Sequence, residues 1–135
     1  MALAGIFLSE FDELDINKKE MLAILGAIKH WFADLANLKV KIYIDNKACV
    51  ALLNYGITRS PFLGACLREI AFFLTEFNIQ LRAEYITSRD NFLADTCSRA
   101  FSSEKYFNNF NLLLQNKTIL LDPLFYNKFN FEYEL

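Results

Sequence analysis

The chain is expected to fold as an α/β domain, and three observations in its 135 residues lead there. Apolar and polar residues alternate at 39–45 and 79–86, apolar residues recur at helical spacing between and before those stretches, and strand and helix patterns follow one another along the chain. Such an order favours a parallel sheet with helices over its faces. One domain is expected at this length, with enough chain to bury a core.

Taken in order, "LAGIFL" at 3–8 predicts a short strand, and the acids after it a loop or single helical turn. Asn17 is a good cap for a helix beginning at Lys18. Met21, Ile24, Leu25, Ile28, Phe32 and Leu35 then form one apolar stripe. Glu20 lies roughly 60° from the centre of that stripe at about 100° per residue, on the border between core and solvent. "KVKIYID" at 39–45 puts Val40, Ile42 and Ile44 on one face of a strand. A short helix is expected from Asn46 to Asn54, then a loop, "YGITRSP". Ser60 followed by Pro61 starts the next helix: a hydroxyl cap, then a proline where its missing N–H costs nothing. That helix carries Phe62, Leu63, Cys66, Leu67, Ile70, Phe73, Leu74 and Phe77, and Asn78 ends it. "IQLRAEYI" at 79–86 predicts a strand with Ile79, Leu81, Ala83 and Tyr85 on one face. "TSRDN" is a loop, and "NFLADTCSRAF" a short helix with Leu93, Cys97 and Ala100 inward. Beyond Phe101 a helix is expected over 103–115, with irregular chain after it broken at Pro123.

Composition narrows the function classes. The apolar share is 54% and there are fourteen Phe, which excludes disorder for most of the chain. No apolar run approaches the ~20 residues of a membrane span, so no membrane partner is expected. The opening "MALAGIFL" lacks the basic flank of a signal peptide. Three cysteines, Cys49, Cys66 and Cys97, fall in expected helices and suit core positions in a reducing compartment, so an intracellular setting, cytoplasmic or nuclear, is expected. The net charge of −2 does not announce a polyanionic partner. All five arginines lie between Arg59 and Arg99, which would suit either a modest basic face or ordinary solvated surface.

Among the polar residues, Asp45 ends a strand at the sheet edge where open α/β folds place ligands. It would serve equally as a helix cap. Glu20 could be an exposed first-turn glutamate favoured by the helix dipole, and Asp95 shares the outer face of its helix with Asn91 and Ser98. His30 has no Cys or His at ligand spacing, so zinc is not expected. No glycine-rich phosphate loop is present. If the three carboxylates on three elements converge, they suit a hard divalent cation, which takes oxygen ligands and keeps water and substrate phosphates in its shell. Two such ions about 4 Å apart activate a water and stabilise the leaving oxygen of a phosphodiester.

Four segments in order, "INKKEMLAILGAIKHW", "VKIYIDNKACVALLNYGITRSP", "REIAFFLTEFNIQLRAEYI" and "NFLADTCSR", resemble the ribonuclease H domain of retroelement reverse transcriptases, DIRS-type elements above all. The matching signatures are "IN..E.LA", "DN" at a strand end, "G.TRS" and "N..AD..SR", over about residues 7 to 101. The resemblance implies a mixed sheet flanked by helices, with strand order 3-2-1-4-5. It makes Glu20, Asp45 and Asp95 the catalytic and metal-ligating carboxylates and Mg²⁺ or Mn²⁺ the cofactor. The implied reaction is hydrolysis of the RNA strand of an RNA–DNA hybrid. Asn46, Arg59, Arg89 and Asn91 are the substrate-side candidates, with Asn91 and Arg99 as local support for Asp95.

The family also uses a fourth carboxylate, an aspartate on the first strand, and none of Glu10, Asp12, Glu13 or Asp15 falls in such a strand. The resemblance therefore implies a fold lacking its first two strands, a partial ribonuclease H-like domain over 1–101 and a C-terminal extension over 102–135. Activity is then expected to be impaired. The strand at 39–45 would lack its central neighbour, and an open apolar edge invites pairing with a second copy or another chain. The alternative is a catalytically inactive nucleic-acid-binding or protein-interaction module derived from a retroelement.

Overall fold

The computed structural model describes residues 2–4, 13–99, 104, 108 and 119–121. They belong to two compact units: one is Glu13–Ile86 with Glu132–Leu135, the other Met1–Asp12 with Thr87–Phe131. The architecture is mixed α/β, with strands β1 (Ala2–Ala4), β2 (Lys39–Ile44), β3 (Gln80–Tyr85) and β4 (Ile119–Leu121) and helices α1 (Ile16–Leu35), α2 (Lys47–Tyr55), α3 (Pro61–Glu76) and α4 (Phe92–Ser98).

In the larger unit β2 and β3 run parallel, with Val40 opposite Leu81, Ile42 opposite Ala83 and Ile44 opposite Tyr85. Helices connect them, as a parallel crossover requires. One sheet face is apolar and carries the buried Ile44 and Ala83. The other carries Lys39, Lys41, Tyr43, Gln80, Arg82 and Glu84, by the two-residue period of a strand. Helix α1 packs on α3, and both contribute buried residues to the core, Met21, Leu22, Leu25 and Ile28 from α1 and Phe62, Cys66 and Ile70 from α3. At the far end, the Phe32 and Phe77 rings stand 4.4 Å apart, and Lys29 reaches Glu69 at 2.7 Å. Leu22 lies outside the expected stripe yet is fully buried, because α1 is covered by both α2 and α3.

The cap of α1 is Asp15 rather than Asn17: its carboxylate accepts from the Lys18 N–H at 2.9 Å. Both residue types cap well, and the earlier start leaves the Asn17 side chain for a tertiary bond. Asn46 caps α2, and Ser60 with Pro61 starts α3, as the local sequence requires. Gly56 closes α2 at φ 68°, a left-handed conformation that glycine adopts without a Cβ penalty. Replacing Ser60 by Ala is expected to lower stability by about 1 kcal/mol, read as a shift in urea midpoint, because the Leu63 N–H loses its acceptor.

The outer edge of β3 is sealed at one point by a side chain. The Asn54 amide donates to the Ala83 carbonyl at 2.8 Å, and its oxygen accepts from the Ala83 N–H at 2.9 Å. The amide thereby pairs with the strand as a neighbouring backbone would. Asn54→Ala would leave both Ala83 groups unpaired at a half-buried site, with an expected loss of about 1–3 kcal/mol in urea unfolding. Among the described residues, β2 has β3 as its one strand neighbour.

In the smaller unit β1 and β4 pair in parallel, Ala2 with Ile119 through Ala4 with Leu121. Local sequence predicts irregular chain over 119–121, and the structure has a strand there. Three residues carry too short an alternation to distinguish a strand, and the partner lies more than a hundred positions away. The rest of the strand expected at 3–8, most of the helix expected at 103–115, and the break at Pro123 fall outside the described residues.

Candidate functional site

The larger unit gathers polar side chains where the start of α1, the end of β2 and the start of α2 meet. Asp45 follows the last residue of β2, and Asn46 turns the chain into α2. Asn46 holds this corner together. Its oxygen accepts from the Cys49 N–H at 3.1 Å, and its amide donates to Asn17 Oδ1 on α1 at 2.7 Å. The Cys49 thiol donates to the Asn17 carbonyl at 3.7 Å. Asn17, which local sequence assigned to capping, is therefore the tie between the two helices. No local pattern in the sequence signals that role, because the partner lies 29 positions away.

Glu20 projects from the first turns of α1 into the same region. Its carboxyl is held above the ordinary 4.5, first by burial and then by the negative charge of Asp45. The two carboxylates are thus within electrostatic reach, although 25 residues separate them in sequence. No hydrogen bond or ion pair to either is present among the described residues. Two half-buried acidic groups within electrostatic reach of each other would suit a hard divalent ion, which would relieve both burial and repulsion.

This arrangement has a pH signature. A raised carboxyl means that the fold prefers the protonated group, so its contribution is complete below pH 4.5 and is lost as the pH rises through the folded-state value. Glu20→Gln is accordingly expected to raise the urea midpoint at pH 7 and to leave it unchanged at pH 4, flattening the stability profile between them.

The nearby thiol is not a nucleophile. Cys49 is fully buried, and burial together with the charges of Glu20 and Asp15 pushes it up to about 11. Cys66, equally buried, is pushed up to about 12. At pH 8 a disulfide reagent is expected to label no more than one of the three cysteines of the native chain, and all three in urea.

Asp95 stands in the smaller unit, on α4, and is described there. Its N–H donates to the Asn91 carbonyl at 3.0 Å, and its carboxylate meets Arg99 Nε at 3.3 Å, one helical turn on. Both side chains are about half exposed, at 47% and 53%, so the pair stabilises the helix by only about 0.3–0.5 kcal/mol. Arg89 is exposed within the Thr87–Asp90 turn, which the Thr87 hydroxyl closes by donating to Asp90 at 2.8 Å. Arg59, in the larger unit, is likewise exposed in a tied loop, where the Ser60 N–H donates to the Thr58 hydroxyl at 3.1 Å. Asn91 is half-buried and its backbone serves α4.

The structure therefore brings Glu20, Asp45 and Asn46 to one corner. Among the described residues there is no group of three or more His, Cys, Asp or Glu side chains poised around a common point. No described helix is long and apolar enough to cross a membrane. Compared with family models, with curated proteins and with solved structures, the chain matches none.

Proposed function

We propose that the chain is a ribonuclease H-like domain of retroelement reverse-transcriptase type, and that Glu20 and Asp45 form part of a site for Mg²⁺ or Mn²⁺ acting on the RNA strand of an RNA–DNA hybrid. The observation that carries this reading is the electrostatic pairing of two half-buried, uncompensated carboxylates, one on the first helix and one at the end of a parallel strand. A metal there would supply an acidified water and neutralise charge on the scissile phosphodiester. The protein's own part is to hold the two carboxylates in place. Asp15 fixes the start of α1, and the Asn17–Asn46 bond fixes that helix against the strand end. Recognition of the hybrid would rest on minor-groove shape and 2′-OH groups, with phosphate contacts from the exposed Arg59 and Arg89. Asn46 and Asn91 serve this reading more as framework than as contact residues, given the bonds they already make.

The test is cleavage of a labelled hybrid in Mg²⁺ or Mn²⁺. Cut RNA and intact DNA are expected, with no cutting in EDTA. An uncut hybrid would transfer the reading to a catalytically inactive nucleic-acid-binding module.

A further inference from the structure

The solvent side of the β2–β3 sheet carries a charge pattern that neither the core nor the carboxylate corner explains. In register, Lys39 stands opposite Gln80, Lys41 opposite Arg82 and Tyr43 opposite Glu84. All but Glu84 are exposed, and Glu84 is half-exposed. Placing Lys41 directly across from Arg82 sets two like charges on neighbouring strands side by side, which is unfavourable. The hydrogen bond and charge of Glu84, 3.1 Å from the Lys41 ammonium, favour the charged form of Lys41 overall, and Arg82 opposes it more weakly. One acid thus answers three cations. Lys39 and Arg82 have no ion-pair or hydrogen-bond partner among the described residues.

The shape of this surface suits an extended polyanion. A shallow recess of about 440 Å³ lies at the N-terminal ends of the strands, lined by Lys39, Lys41, Gln80 and Arg82 and also by Val40 and Leu81 of the apolar face. Lys39 and Lys41 are two residues apart along β2, so their stems leave the sheet about 6.7 Å apart, comparable to successive phosphates of an unpaired strand. Beside them Tyr43 presents a ring that is 55% exposed. An exposed aromatic among cations on a flat sheet is the arrangement on which unpaired bases stack while their phosphates are neutralised.

We propose that this sheet face is a binding surface for single-stranded nucleic acid, with Lys39, Lys41 and Arg82 contacting phosphates and Tyr43 stacking on a base. It depends on neither Glu20 nor Asp45 and so stands apart from the proposed hydrolysis.

The experiment is fluorescence anisotropy with a labelled oligothymidylate over a salt series. Three phosphate contacts on a single strand predict a slope of log affinity against log salt of about −2. Lys39→Ala or Arg82→Ala should each reduce that slope by about 0.7, and the double charge reversal Lys39→Glu with Arg82→Glu should weaken binding at least about tenfold in low salt. Tyr43→Ala should weaken binding without changing the slope. Glu84→Gln should tighten it, a gain that no folding defect could imitate. Asp34→Asn, at an exposed acid on α1, should bind as the unmodified chain does. Binding that ignores the lysine and arginine substitutions would overturn the proposal. So would equal affinity for polyglutamate, tighter binding to duplex of the same length, or weaker binding by Glu84→Gln.

Discussion

Asp45→Asn is expected to reduce the proposed metal-dependent cleavage of an RNA–DNA hybrid by more than about a hundredfold, since even outer partners of metal ligands typically cost 10–100-fold when removed. The substitution keeps side-chain shape and removes one negative charge. It also removes one of the two causes that raise the Glu20 carboxyl, so Glu20 should titrate closer to the ordinary carboxylate range while its burial continues to hold it up. Carboxyl NMR of Glu20 reads that change directly. In the unmodified chain Mn²⁺ should broaden the same signal, and in Asp45→Asn the broadening should require much higher metal. The neutralisation of an exposed acid elsewhere, Asp90→Asn, should leave cleavage unaltered. If Asp45→Asn cleaves as well as the unmodified chain, the pair is not a metal site.

Leu25→Ala is expected to destabilise the larger unit by about 2–5 kcal/mol, the range for a buried leucine cut back to alanine. Leu25 has no exposed surface, and it lies on α1 in the layer shared with α3. A domain has only about 5–15 kcal/mol in hand, so the substitution removes a large share of its stability. Urea unfolding followed by far-ultraviolet circular dichroism measures the effect as a lowered midpoint at constant slope. Ile57→Ala, at a position that is 81% exposed, should change stability by less than about 0.5 kcal/mol. A small effect at Leu25 would mean that α1 and α3 do not form the core. It would also remove the support of Glu20, which depends on how α1 is seated.

The two predictions are linked through α1. One face of the helix, Met21, Leu25 and Ile28, is buried against its neighbours, and this orients the Glu20 border position toward the end of β2. The energy that keeps two like charges together comes from that packing and from the Asn17–Asn46 bond, not from the carboxylates.

Local sequence determined the elements, because their causes are local. Period-2 alternation placed β2 and β3, the stripe from Met21 to Leu35 placed α1, and Ser60–Pro61 and Asn46 set helix starts through bonds within three residues. Long-range bonds were decided by tertiary structure alone. Nothing near Asn54 indicates that its amide plugs Ala83, or that Asn17 bonds across 29 positions to Asn46. The expected inward face of β3 fails at Tyr85, which is 46% exposed with the Lys47 ammonium 4.9 Å from its ring. Alternation tells which residues share a face, but whether a helix covers the end of that face depends on where the helix stops. Of the candidate site, the residue types were legible in sequence. The burial and mutual repulsion of Glu20 and Asp45 were not, since both arise only when α1 is packed against the end of β2.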